Sequence, residues 1–485
     1  MTLREKLLKG GMTLVAGQIV SQGLAAVRNI LIARMILSEY DYGIASTMIM
    51  IVSLIDALSN LGTNLLVIQH ANGDQPHFLN VVHFVSSIRS LLSGLALVAI
   101  SYPLACLFDV RQASWAYAVL ALVPIFKGLT HHDLYRLQRN YAYGPIVLQE
   151  VLGQILTIGT WYGLTRWVND YGSVAYLLIL QAAINTILSQ IIARYPYRWS
   201  YDLALIRHVL GFGLPLMYNW VALFLVYQAE RFIVSSGSRF FPAAQYNMED
   251  TASISAAMLI SSMASLFLNR VIASLFMPLL SQMDDNFLRR YRLTLQTAAL
   301  IAGLSTIPLI LFSDLIVQMI YLGRYASSGA MISFTASGQA LLILRSAAHV
   351  GLLGQGQSWD CFYNNLWRSV SVPLVILVAA TGLPVTFIAY PALVGEAIAL
   401  IALARTTKIR FGAAPQNLLA PVAFLVSGLG AAYFLGYYEG LFEPGIYWAA
   451  ATILWIGFGS SSVLIFPELF AEIFRNSRRW SYRSA

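Results

Sequence analysis

Charge is scarce in this 485-residue chain. Asp, Glu, Lys and Arg make up 11% of it, against roughly 25% in ordinary soluble domains. A chain so poor in charge has little with which to cover a water-facing surface. Cysteine is scarcer still: Cys106 and Cys361 allow at most one disulfide and match no metal-ligand spacing. The motifs of covalent chemistry are missing. There is no His-Glu-x-x-His, no P-loop, no Gly-x-Ser-x-Gly and no Cys-x-x-Cys pair, so ATP hydrolysis has no visible machinery. Neither a cofactor nor a metal is expected, and the protein does not read as an enzyme.

What is abundant is apolar. Hydrophobic residues are 58% of the chain and mean hydropathy is +0.67. The apolar runs are long enough to cross a bilayer at about 1.5 Å rise per residue. The expectation is an all-α integral membrane protein with about fourteen transmembrane helices. They lie near 11–33, 42–69, 80–107, 113–133, 144–166, 171–193, 211–235, 243–268, 291–313, 329–354, 364–381, 384–404, 417–437 and 446–466. No segment between them is large enough for a separate domain.

A net charge of +8 could suggest nucleic acid, but its distribution suggests topology instead. With the N-terminus inside, the cytoplasmic segments hold twenty Lys and Arg, from Arg4, Lys6 and Lys9 to Arg475, Arg478, Arg479 and Arg483. The outer loops hold five: Arg34, Arg111, Arg166, Arg239 and Arg324. That asymmetry is the positive-inside pattern, and it places both termini in the cytoplasm with no nucleic-acid partner. The first apolar run follows a basic start, as in a signal peptide. It is too long, contains Arg28 and lacks a small-residue cleavage site, so it reads as a retained first helix.

The halves look duplicated. Leu3 to Met12 (LREKLLKGGM) precedes the first span, and Leu203 to Pro215 (LALIRHVLGFGLP) precedes the seventh. Each reads as a short amphipathic interfacial helix, then glycines, then a long span. An offset of 203 residues sets Arg28 on Arg231. The natural parse is two pseudo-symmetric six-helix lobes around a central cavity. Residues 1–200 form the N-terminal lobe, 201–410 the C-terminal lobe, and 411–485 two further helices with a basic cytoplasmic tail.

Five cations fall inside spans: Arg28, Arg89, Lys127, Arg231 and Arg345. Each costs about 2.5–3.5 kcal/mol at a helix centre, so they must pair, snorkel or face a wet cavity. Lys127 reads as a snorkeller near His131. Arg28, Arg231 and Arg345 read as cavity residues because polar neighbours lie at helical spacing. Gln18, Gln22 and Asn29 lie beside Arg28. Asn219, Tyr227 and Glu230 share a flank with Arg231, and His349 follows Arg345 by one turn. Asp56, Asn60 and Asn64, spaced i, i+4, i+8, would share one face of a single helix. Asp56 is the leading acid for ion coupling, with structural pairing to Arg28 as its alternative. Glu230, Glu249, Asp250 and Glu396 are the other coupling candidates. The competing reading is that these acids neutralise embedded arginines, or, for Glu249 and Asp250, lie at the surface. Gly159 and Gly163 read as a close helix-packing motif.

The stretch 28–69 also carries a family likeness. Ala33-Arg34-x-x-Leu37-x-x-x-x-Tyr42-Gly43, and later Leu61 to Gln69 (LGTNLLVIQ), resemble the polysaccharide transporter branch of the multidrug/oligosaccharidyl-lipid/polysaccharide superfamily. FGLPL (Phe212 to Leu216), FMPLLSQ (Phe276 to Gln282) and YLGRYASSGAMI (Tyr321 to Ile332) fall where that family has comparable signatures. The resemblance implies an alternating-access flippase at the cytoplasmic (inner) membrane, translocating a polyprenyl-diphosphate-linked oligosaccharide for surface polysaccharide. Arginine suits such a diphosphate. It leaves a peptidoglycan-precursor lipid flippase and a drug/cation antiporter as alternatives, and a membrane glycosyl ligase or polymerase as a different class. The partners implied are the lipid-linked oligosaccharide, the bilayer and other polysaccharide-assembly proteins.

Overall fold

The computed structural model describes residues 3–35, 38–281, 283–325 and 327–472. Gln282, Ala326 and the basic tail with Arg475, Arg478, Arg479 and Arg483 lie outside the described residues. All regular structure among the described residues is helical. Contacts divide the chain into two compact units, Met1–Ser255 with Ala379–Gly382, and Ala256–Val378 with Leu383–Ala485.

The first unit holds α1 (Leu3–Met35), α2 (Glu39–Ser59), α3 (Thr63–Gln69), α4 (Pro76–Leu107), α5 (Ser114–Val119), α6 (Leu122–Gly128), α7 (Asp133–Arg139), α8 (Gly144–Leu164), α9 (Gly172–Ile192) and α10 (Leu203–Phe240). It also holds the start of α11 (Met248–Leu280). α8 packs on α1 and α9, α4 on α5 and α6, and α10 on α2 and α4. Buried Ile44, Met48, Ile51, Leu97, Phe108 and Tyr117 form the core beneath α2.

The second unit continues with α12 (Phe287–Leu311), α13 (Ser313–Tyr321), α14 (Ser328–Gly354), α15 (Ser358–Arg368), α16 (Ser371–Ala380), α17 (Tyr390–Phe411), α18 (Gln416–Tyr437) and α19 (Pro444–Ile465). α12 and α14 are its centre. Ala298, Ala299 and Ala302 on α12 are fully buried beside Leu344 and Ala347 on α14, because small side chains let helix backbones approach closely. Phe458 of α19 stacks on Phe424 of α18 at 4.3 Å. Arg410 clasps Asp360 with two hydrogen bonds, 2.6 and 3.0 Å, tying α17 to α15.

Helix lies at every span expected from the sequence. Nine described helices are long and apolar enough to cross a membrane, ten if the pair bent by 45° at residues 129–132 is one span. Three spans are interrupted. The 364–381 span breaks between α15 and α16, and 113–133 breaks into α5, α6 and α7. The 42–69 span breaks at Asn60–Gly62, where Asn60 is extended and Gly62 takes φ +58°. The Asn60 Oδ1 accepts a hydrogen bond from the Gly62 N–H at 2.9 Å, fixing the turn. Asp56 and Asn60 therefore stay together while Asn64 leaves on α3, so the expected single face through all three does not form.

Two other expectations change. Neither interfacial prelude is a separate helix. α1 runs through its glycines, and α10 is one helix of 38 residues containing Pro215. Asp202 caps α10 by accepting from Ala204 and Leu205 N–H at 3.0 and 3.1 Å. Those bonds, Leu205's foremost, and His77 hold its carboxyl below the usual range. Gly213 serves contact rather than breakage, since a Cβ there would sit 2.6 Å from the Leu61 Cβ. Gly159 and Gly163 meet no neighbour within 4 Å of an added Cβ, so among the described residues no other helix packs closely on that motif.

The linker into α10 is pinned. Asp133 accepts from Arg194 N–H at 2.7 Å, and Tyr197 stacks on buried His83 at 4.3 Å. The His83 Nε2 in turn accepts the His132 N–H at 3.1 Å across the α6–α7 bend.

Gly62→Ala tests the α2–α3 break. An alanine forced to left-handed φ costs roughly 1–2 kcal/mol, and its Cβ would press Leu216 Cδ1 at 2.5 Å. A lower thermal unfolding midpoint in detergent is expected; an unchanged midpoint contradicts the strained turn.

Candidate functional site

Two helices of the first unit form a groove. α2 contributes Ser53, Asp56 and Ala57, with Asn60 just past its end, and α10 contributes Trp220, Leu223, Phe224, Tyr227 and Gln228. Each set recurs at three- and four-residue steps, so each is one helical face. The volume between them is about 310 Å³. Asp56 is not joined to Arg28. Its Oδ2 accepts from the Lys127 Nζ at 2.5 Å, with the two side chains 42% and 45% exposed. Lys127, expected to snorkel near His131, pairs with the groove's carboxylate. Arg231 lies within one turn of Gln228 and donates to its Oε1 at 3.4 Å.

Arg28 sits where α1 meets α8 and α9. Its Nη1 donates to Gln181 Oε1 at 2.7 Å and to Gln154 Oε1 at 3.3 Å. Its Nε and Nη2 donate to Asn29 Oδ1 at 3.2 and 3.0 Å. All three partners are neutral amides, which orient the guanidinium without cancelling its charge. Among the described residues no carboxylate lies within ion-pair distance of it.

The second unit treats its arginine differently. Arg345 on α14 is 2% exposed and donates from Nε to Glu396 Oε2 of α17 at 2.7 Å. Its Nη1 donates to Asn365 Oδ1 at 2.6 Å. Arg368, at the end of α15, binds the other carboxylate oxygen of Glu396. One buried carboxylate thus serves two guanidiniums. His349 Nε2 contacts Asn364 Oδ1 at 2.7 Å, and the Asn364 amide donates to the Ala399 carbonyl at 2.7 Å. Arg345 and Glu396 are therefore occupied with each other, the neutralising role weighed against a binding role for such acids.

The remaining candidates scatter. Asn219 is half-buried on α10 outside the groove lining, and Asn64 is half-buried on α3. Glu230 is buried. Glu249 is exposed at the start of α11, and Asp250 exchanges hydrogen bonds of 3.1 and 2.8 Å with Asn247. That reciprocal pattern is a helix cap, not a cavity. Of the expected residues the structure gathers Asp56, Asn60 and Tyr227, with Arg231 beside them.

Sequence reading missed Lys127 as a partner, Gln228 and Trp220 as lining, and Gln154 and Gln181 around Arg28. Gln154 and Gln181 are polar residues inside apolar spans, and that was an available signal. Arg368, at the end of α15, is buried against Glu396, a partnership no spacing in the sequence signals.

Among the described residues the structure is all-helical, and its fold is that of solved membrane transporters. The chain superposes with TM-score 0.70 on the Lipid II flippase MurJ in an inward closed conformation, at 14% identity over 96% of this chain and 99% of that one. An inward-facing multidrug resistance MATE family transporter of the MOP superfamily gives 0.64 at 14% identity, covering 84% and 98%. The eukaryotic MATE transporter AtDTX14 gives 0.58 at 13%, covering 85% and 98%. At these identities the likeness is one of fold. The sequence itself matches the polysaccharide biosynthesis protein family across residues 31–329, and the chain belongs to that family. No curated protein matches the sequence.

The Arg345–Glu396–Arg368 cluster yields a stability prediction. Glu396→Ala would leave two buried guanidiniums facing each other, and breaking such a cluster costs about 3–5 kcal/mol. Unfolding in detergent should shift to markedly lower temperature, with Arg368→Ala shifting it less because the Arg345–Glu396 pair survives. A Glu396→Ala protein as stable as wild type would contradict a structural role.

Proposed function

We propose that the protein is a flippase that carries a polyprenyl-diphosphate-linked oligosaccharide from the cytoplasmic to the outer leaflet by alternating access, for surface polysaccharide assembly. The observation that carries this is Arg28. An intramembrane guanidinium held by three amides keeps a full positive charge, which water-poor surroundings make costly unless an anion comes to it. A diphosphate is such an anion, and it matches the two-pronged guanidinium geometry. Arg231, in the same unit and beside the groove, supplies a second charge. The family supports polysaccharide chemistry, and the fold shared with a lipid flippase supports a lipid-linked substrate.

A drug/cation antiporter reading is disfavoured. Such a transporter should favour embedded acids over embedded arginines, whereas here Arg28, Arg89, Arg231 and Arg345 all lie inside spans and Glu396 is taken up by two arginines. The cytoplasmic side is the one carrying most Lys and Arg, with both termini there. Asp56 is the acid assigned to ion coupling, where one elementary charge is worth about 2.3 kcal/mol per 100 mV. The exchangeable partner that would let it take up and release a cation is Lys127.

The test is surface polysaccharide in a strain dependent on this protein, with membrane levels of each variant measured. A charge-assisted bond to phosphate contributes roughly 1.5–3 kcal/mol, so Arg28→Ala and Arg231→Ala should each weaken substrate binding by about one to two orders of magnitude. Lysine should rescue each in part, keeping the charge and losing the fork. Wild-type polysaccharide from both alanine variants at normal expression would sink the cationic site.

A further inference from the structure

We propose that the α2–α10 groove is a sugar subsite that takes one uncharged pyranose ring of the translocated saccharide, with the diphosphate held elsewhere by arginine. This deepens the flippase reading and rests on it for the physiological ligand, but it stands on the groove's own chemistry. A pyranose ring has a face of C–H bonds and a rim of hydroxyls. It is met by an aromatic face for the first and by planar amide or carboxylate groups for the second.

The groove offers both. Trp220, Phe224 and Tyr227 follow at i, i+4 and i+7 along α10, which puts three rings on one face, and Trp220 is 41% exposed. Asp56 on α2 and Asn60 just past its end stand opposite, and Gln228 closes the aromatic side. These polar groups are already oriented. The Gly62 N–H holds Asn60 Oδ1 at 2.9 Å, which directs its amide hydrogens away from the turn. Lys127 holds Asp56, and Arg231 holds the Gln228 Oε1. Pre-set donors and acceptors are what a hydroxyl-rich ligand needs, since it otherwise loses its own hydrogen bonds to water.

Charge selects among sugars. The lining contains one carboxylate and, among the described residues, no cationic side chain. Lys127 offsets that carboxylate, and Arg231, outside the lining, is turned to the Gln228 Oε1, so no cationic side chain of the lining itself meets phosphate or a uronic acid. A uronic acid would in addition set its carboxylate against Asp56. An apolar tail, for its part, would leave Asp56, Asn60 and Gln228 unsolvated. A volume of about 310 Å³ is at the small end of ligand cavities, which suits one part of a head group rather than the whole.

The experiment uses the full-length protein in lipid nanodiscs and saturation-transfer difference NMR, which reads weak binding. The probes are methyl glycosides of glucose, galactose, mannose and N-acetylglucosamine, with methyl glucuronoside as the acidic comparison. At least one neutral glycoside should receive saturation, strongest at its C–H face. Trp220→Ala should reduce that signal about tenfold, equivalent to about 1.4 kcal/mol, and Trp220→Phe, which keeps a ring, should retain most of it. Methyl glucuronoside should bind clearly more weakly than its neutral counterpart. Failure of every neutral glycoside to bind, equal signals from wild type and Trp220→Ala, or equal binding of the uronoside would each overturn the proposal. A parallel titration with farnesyl diphosphate separates the two claims. If it binds in an Arg28-dependent way while glycosides ignore Trp220, the sugar subsite falls and the flippase reading stands. If glycosides bind in a Trp220-dependent way and farnesyl diphosphate does not bind, the subsite stands and the diphosphate-flippase reading falls.

Discussion

Positive charge inside a low-dielectric slab has to be answered by something, and the ways this chain answers it shape both of its units. In the second unit the answer is internal. Glu396 sits between Arg345 and Arg368, locking α14, α15 and α17 around a deeply buried salt bridge. In the first unit the answer is partial. Arg28 receives amide oxygens from α1, α8 and α9, which fix its direction and leave its charge standing. A buried pair serves cohesion, whereas the oriented guanidinium of Arg28 is the one proposed to meet an anion.

The interruptions in the helices follow from the same constraint. Non-helical backbone at membrane depth is tolerated where protein or a polar cavity satisfies it. At Asn60–Gly62 the Asn60 side chain does so, and the break leaves Asp56 and Asn60 on the groove while turning the chain toward α3. At the α6–α7 bend, His83 and His131 accept main-chain N–H groups from His132 and Asp133, and Asp133 accepts from the linker that leads into α10. The bend and the groove-lining helix are thereby mechanically joined within one unit. Movement of α10 would have to be accommodated at Arg194, Tyr195 and Tyr197.

Much of the fold was legible because apolar run length is a direct physical signal. Helix lies at each of the fourteen runs, though three are broken and nine or ten described helices are long and apolar enough to cross a membrane. The likeness carried by Ala33-Arg34, Tyr42-Gly43 and Leu61 to Gln69 agrees with the family found across residues 31–329. Side-chain partnership was less legible. Helical spacing correctly put Asp56 beside Asn60, yet Gly62 ended the helix before Asn64 could join them. Spacing also cannot choose between distant helices. It offered Arg28 as a partner for Asp56, where the fold supplied Lys127, 71 positions away in sequence. Glu396 and Arg345, 51 apart, met for the same unreadable reason. Tyr227 and Trp220 were equally visible as aromatic residues, but only the packing of α10 on α2 shows that both line one volume.

Translocation itself is the most direct observable. Purified protein reconstituted into sealed liposomes with a fluorescent polyprenyl-diphosphate disaccharide, probed by an external glycosidase that cannot cross the bilayer, reports on leaflet exchange. Flipping predicts that the inner-leaflet pool becomes cleavable in protein-containing liposomes and stays protected in protein-free ones. An inner pool that remains protected at high protein density, with the protein correctly folded, would contradict it.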